Sequence, residues 1–91
     1  MVDLGWAGIL IPEEYGGMGM GFISSMLVCD YISGSTGSLS TAFGAHTGIG
    51  TLPVLLYGTE DQKKKYLPRL SSGECFGCYC LTEPGAGSDA N

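Results

Sequence analysis

Only one segment of this 91-residue chain alternates with the period of a β-strand, and it has nothing to pair with. In "ECFGCYCLT", residues 74–82, alternation would send Phe76, Cys78 and Cys80 to one side and Tyr79 and Leu81 to the other. A strand points its backbone donors and acceptors sideways, and a lone one cannot satisfy them. The expectation is therefore a fragment running across two domains. Residues 1–72 would be helices of the first, and residues 73–91 would open a second with its first strand. The fold class is mainly α.

Upstream, the apolar spacing is helical. "DLGWAGILIP" starts as a helix end with Leu4, Trp6, Ile9 and Leu10 apolar, and Pro12 breaks it before the glycines at 16, 17, 19 and 21. Phe22, Ile23, Met26, Leu27 and Ile32 recur as on an amphipathic helix closed by Ser33-Gly34. Leu39, Ala42, Phe43, Ala45, His46 and Ile49 mark another helical stretch, which Pro53 kinks or restarts and Gly58 ends as a C′ residue. In "GTEDQKKKYLPRLSSG", Thr59 and Gln62 form a capping box, Glu60 and Asp61 lie in the first turn, and Ser71-Ser72-Gly73 ends the helix. Lys63 to Lys65 read as its solvated face.

Charge removes several functions. A formal net charge of -5 with four cationic residues leaves no basic face for a phosphate backbone, so nucleic acid is not an expected partner. No formal charge falls between Tyr31 and Thr59, a run of 29 residues that could span a bilayer by length. Its many glycines and serines make it far too polar for a membrane span, and buried helices of a larger protein are the better reading. The start, "MVDLGWAGIL", has an early aspartate and no basic region, so secretion is not expected.

Cys29, Cys75, Cys78 and Cys80 raise the question of metal. C-x2-C-x-C could be half a zinc site, but only His46 and the distant Cys29 could complete it. Buried thiols packing as small apolar groups are the simpler reading, and no metal ligand is assigned. His46 reads as a packed, hydrogen-bonded core histidine.

The end of the chain, "YCLTEPGAGSDAN", is the most chemically suggestive stretch. Pro84 ends a strand by removing a donor, and Gly85 and Gly87 allow positive φ and a close approach of backbone to ligand. Successive amides there could form an anion-binding nest, with the Ser88 hydroxyl beside it. Tyr79 and Thr82 add an aromatic face and a second hydroxyl. A planar ring attached to a pyrophosphate would use all of these. Gly85, Gly87 and Ala90 also spell G-x-G-x-x-A, a weak dinucleotide signal that fits badly behind Thr82-Glu83-Pro84.

"YCLTEPGAGS", followed by Asp89, closely resembles the flavin-binding signature of acyl-CoA dehydrogenases. "LGWAGILIPEEYGGMGMG" is similar to the family's helix-to-loop passage, and "GTEDQKKKYLPRLSSGE" to its run into the middle domain. The resemblance implies an up-and-down helical N-terminal domain followed by a β-barrel domain. It also implies an FAD enzyme that oxidises an acyl-CoA thioester to the 2,3-enoyl-CoA and passes electrons to an electron-transfer flavoprotein. A homodimer or homotetramer is implied, in a bacterial cytoplasm or a mitochondrial matrix.

Carried over by position, Tyr79, Cys80, Leu81 and Thr82 would lie along the flavin ring, with Thr82 hydrogen-bonded to it. Glu83, Pro84, Gly85, Ala86 and Gly87 would shape the turn over the cofactor. Ser88 would approach both the FAD pyrophosphate and the CoA chain of the substrate. Glu83, before a proline, is read as structural; the family's base lies downstream, so no catalytic residue is assigned and the 91 residues alone are expected to be inactive. Gly44, Thr47 and the loop after Tyr15-Gly16-Gly17 would line the acyl cavity. Two other readings remain: an acyl-CoA oxidase-like relative on the same scaffold, and a non-catalytic helical interaction module with metal on Cys75, Cys78 and Cys80.

Overall fold

The computed structural model describes residues 2–90, so Met1 and Asn91, the outer ends of the two expected domains, lie outside the described residues. The chain is mainly helical. Two 3₁₀ turns, Val2–Leu4 and Trp6–Gly8, replace the expected helix end, and a third follows Pro12 at Glu13–Tyr15. Helix α1 covers Phe22–Ser33 and α2 Gly37–Gly44. A π-helical turn, Ala45–Gly50, follows α2 directly. Helices α3, Leu52–Tyr57, and α4, Glu60–Ser72, complete the body.

Segment 6–11 is the hinge of the packing. Trp6 and Ile9 join Ile32 of α1 and Phe43 of α2 in one cluster, while Ile11 joins Leu67 and Leu70 of α4 in another. One short stretch thus feeds both halves of the core. The loop behind it folds back, as the amides of Met18, Gly19 and Met20 donate to the carbonyls of Gly8, Ile11 and Ile9 at 2.8–2.9 Å.

Helix α4 forms as its sequence demands. The Thr59 amide donates to Gln62 Oε1 at 2.9 Å and the Gln62 amide to Thr59 Oγ1 at 3.3 Å, so two orphan donors of the first turn are satisfied reciprocally. Gly73 ends the helix at φ 77°, a left-handed conformation that costs a residue without Cβ little. Pro68 breaks one rung inside the helix, a loss of about 3 kcal/mol. Burial of Leu67 and Leu70 beside it offsets that, at roughly 1.5–3 kcal/mol each. Pro53 restarts rather than kinks: it sits in the first turn of α3, where a missing N–H is harmless.

Three expectations are corrected. Among the described residues there is no strand; residues 74–82 are irregular, because no second strand is present to accept a ladder. Of the apolar stripe of α1, only Ile32 is buried. Phe22 is 61% and Ile23 80% exposed, with Met26 and Leu27 also outward, whereas Ser25 and Ile32 are buried. Polar Ser24, Ser25, Asp30 and Ser33 are spread around this helix rather than gathered on one side, so its pattern selects no face, and contact with Trp6, Ile9 and Phe43 selects it instead. Gly58 does end α3, but in an extended conformation (φ -69°, ψ 154°) rather than a left-handed one. Glycine is required there because a Cβ would collide with the Val54 carbonyl oxygen.

Candidate functional site

Helix α4 hands the chain to the terminal segment through a compact knot. The Ser72 hydroxyl donates to the Arg69 carbonyl at 3.2 Å and accepts from the Glu74 amide at 3.3 Å. Arg69 Nε meets Glu74 Oε1 at 3.1 Å, and the Cys75 amide donates to the Arg69 carbonyl at 3.3 Å. From Cys75 the chain crosses the π turn. Gly50 and Gly77 touch backbone to backbone, so a Cβ on either would lie 2.7 Å from the other's Cα.

His46 supports that crossing from below. Its ring is 1% exposed, bonded through Nε2 to the Leu70 carbonyl at 2.9 Å and through Nδ1 to the Gly77 amide at 3.1 Å. A carbonyl only accepts and an amide N–H only donates, so the ring is neutral with its proton on Nε2. Phe76 stands edge-on to it at 5.5 Å between ring centroids, and Trp6 packs on it at 6.2 Å. The expected hydrogen-bonded core histidine is therefore present. Its second partner, in the terminal segment, had no signal in the sequence beyond a lone imidazole amid glycines.

Past Gly77 the expected site residues stay together and exposed. Tyr79 is 56% exposed, and Cys80, Leu81 and Thr82 also face outward. The Glu83 amide donates to the Ala86 carbonyl at 2.9 Å and the Ala86 amide returns the bond at 3.0 Å, closing a tight turn over Pro84 and Gly85. Neither Gly85 nor Gly87 has positive φ, so the turn is not type II and the expected left-handed nest is not formed. No protein atom lies within 4 Å of where a Cβ would stand on either glycine, so nothing in the fold itself demands glycine there. The Thr82 and Ser88 hydroxyls make no hydrogen bond among the described residues.

The acyl-cavity residues are not gathered. Thr47 is buried with its hydroxyl donated to the Phe43 carbonyl at 2.7 Å, and Gly44 is exposed. The Gly16 carbonyl accepts from the Ser71 hydroxyl at 2.7 Å. A cavity of about 340 Å³ does involve the loop after Tyr15-Gly16-Gly17, through Met18 and Met20, but its other walls are Leu4, Trp6, Ile9, Val28 and Ile32, not Gly44 or Thr47.

All four cysteines are free, and no three His, Cys, Asp or Glu side chains among the described residues are grouped to hold a metal. Among those residues no helix is long and apolar enough to cross a membrane.

Comparison with known proteins agrees with this helical body. A family model for the N-terminal domain of acyl-CoA dehydrogenases matches residues 1–74. A Bacillus subtilis protein named "Probable acyl-CoA dehydrogenase" is 56% identical over 88 residues, 97% of this chain and 15% of that protein. Mitochondrial isovaleryl-CoA dehydrogenase from Bos taurus is 44% identical over 87 residues, 96% of this chain and 20% of that protein. The structure superposes on a Bacillus anthracis acyl-CoA dehydrogenase complexed with FAD with a TM-score of 0.91 and 52% identity, covering 98% of this chain and 15% of that one. The chain thus spans a fifth or less of the length of these relatives. With the N-terminal-domain model matched over residues 1–74 of the chain, most of its length, the chain belongs to the acyl-CoA dehydrogenase family.

Proposed function

We propose that this chain serves an FAD-dependent acyl-CoA dehydrogenase, contributing late helices of the N-terminal domain over residues 1–72 and opening the middle β-domain over residues 73–91. The end of the family match at residue 74 supports that division. The observation that carries the cofactor reading is the exposed stretch Tyr79–Ser88, whose turn is closed by Glu83 and Ala86. Two of its glycines have no protein neighbour to justify them, and two of its hydroxyls make no bond among the described residues. That donor set fits a flavin with its pyrophosphate.

In this reading Tyr79, Cys80, Leu81 and Thr82 hold the flavin ring, and the Thr82 hydroxyl donates to it. Backbone amides of this stretch directed at a bound ring would stabilise negative charge on it. The turn Glu83–Gly87 bounds the cofactor, and Ser88 serves both pyrophosphate and CoA chain. Glu83 is positioned by its backbone bridge and acts as a structural residue, so no base is assigned in this chain. FAD, when bound, supplies the acceptor for the hydride that leaves the β-carbon of an acyl-CoA thioester during 2,3-dehydrogenation. The partners are the acyl-CoA substrate, an electron-transfer flavoprotein and identical subunits in a dimer or tetramer, in a bacterial cytoplasm or a mitochondrial matrix.

Absorbance of the protein purified from its whole reading frame tests this. A yellow protein whose flavin bleaches with an acyl-CoA under anaerobic conditions, and recovers with an electron-transfer flavoprotein, is the expected outcome. A colourless, FAD-free preparation would sink the reading.

A further inference from the structure

We infer that His46 is a positioning residue for the cofactor segment: through its bond to the Gly77 amide, it fixes where residues 79–88 lie relative to the helical body. The inference rests on the flavin reading above and adds a residue that lies outside the segment itself.

The geometry makes His46 the last tether. The knot of Arg69, Ser72, Glu74 and Cys75 holds the chain as it leaves α4. His46 then binds Gly77, two residues before Tyr79. Beyond that, the only hydrogen bonds in the segment among the described residues are the internal pair between Glu83 and Ala86. The direction in which Tyr79 to Ser88 leave the body is thus set at Gly77.

The tether is also stiff. Both ring nitrogens are used, with Nε2–H on the Leu70 carbonyl and Nδ1 on the Gly77 amide. Phe76 and Trp6 pack against the ring. The backbone contact of Gly50 with Gly77 prevents the segment from settling closer. The π turn itself is braced by the Thr51 hydroxyl, which donates to the His46 carbonyl at 2.6 Å.

The two bonds can be separated chemically. The oxygen of an asparagine side chain stands near the place of Nδ1, and the amide nitrogen of a glutamine near that of Nε2. His46→Asn therefore keeps an acceptor for Gly77 and loses the bond to Leu70, while His46→Gln does the reverse. A side chain that only fills the core would be harmed comparably by either change.

The experiment measures FAD dissociation constants by flavin fluorescence, and Gly77 amide exchange by NMR, in the protein from its whole reading frame. His46→Gln is expected to weaken FAD binding about tenfold or more and to speed Gly77 exchange by a similar factor, while His46→Asn stays within about threefold of wild type in both. Equal losses in the two variants, or no loss in His46→Gln, overturn the inference and leave the flavin reading standing. A wild-type protein that retains no FAD overturns both. If His46→Gln does not fold, wild-type exchange decides, since a Gly77 amide that exchanges as fast as those of Cys78 and Tyr79 removes the tether.

Discussion

The Tyr15 hydroxyl donates to Glu60 Oε2 at 3.0 Å, joining the glycine-rich loop to the first turn of α4 across 45 residues of chain. Partial burial, then the bond to Glu60 and the negative charges of Glu60 and Glu14, raise the Tyr15 phenol above its ordinary value of 10.0. The folded chain therefore holds this proton more tightly than the unfolded one. The resulting stability is fully present below pH 10 and is lost as pH rises through the folded value. Spectrophotometric titration should show one of the five tyrosines ionising late. Tyr15→Phe should abolish that late step and flatten the alkaline fall in stability.

The capping box of α4 gives a second expectation. Thr59→Ala removes the acceptor for the Gln62 amide and should cost about 1 kcal/mol. For a chain of this size that is a fall in Tm of roughly 4–8 °C. Thr59→Ser should restore most of it in the same thermal melt.

Exposure along α1 and α2 predicts opposite outcomes for two large apolar residues. Phe43 is buried against Trp6, with ring centroids 5.4 Å apart, and Phe43→Ala should cost about 3–5 kcal/mol in urea unfolding. Ile23 is 80% exposed, and Ile23→Gln should stay within about 0.5 kcal/mol. A large loss at Ile23 in this chain would mean that α1 presents its other face to the core.

Gly50 tests the crossing of the π turn by the terminal segment. A methyl group there would stand 2.7 Å from Gly77 Cα and 3.0 Å from the Ala45 carbonyl oxygen, both of them backbone atoms that cannot rotate away. Gly50→Ala should therefore cost about 1–3 kcal/mol by overpacking. Denaturant unfolding measures it.

Gly85 and Gly87 should behave differently. A Cβ at either meets no atom within 4 Å, so alanine at both should leave the stability of the 91 residues unchanged within about 0.5 kcal/mol. If the turn lies against FAD, the same double variant should lower flavin retention about tenfold or more in the protein from the whole reading frame. Undiminished flavin would place the cofactor away from this turn.

What the sequence could reveal depended on how local the cause was. Thr59, Gln62 and Gly73 act within one helical turn, and their roles were legible from spacing alone. The buried side of α1 is chosen by Trp6, Ile9 and Phe43, so a pattern confined to residues 22–33 identified Ile32 but not the exposure of Phe22, Ile23, Met26 and Leu27. Alternation at 74–82 was legible, but a strand needs a partner and none lies among the described residues. Residues 79–88 stood out in the sequence as one stretch. Their attachment through His46 and Gly77 joins positions 31 residues apart, and such a bond leaves no periodic trace.

The π turn at Ala45–Gly50 has a consequence for how this stretch tolerates change. Each residue added to a helix advances the following side chains by about 100°. A turn closed by i→i+5 bonds absorbs one residue more than an α turn, so it acts as a phase slip between α2 and α3. Phe43 points into the core under the phase set before the slip, whereas Pro53 and Leu56 follow the phase set after it. Shortening this turn by one residue would alter no charge and little hydrophobicity, yet it would rotate one helix against the other. In this part of the chain, residue count carries information that residue type does not.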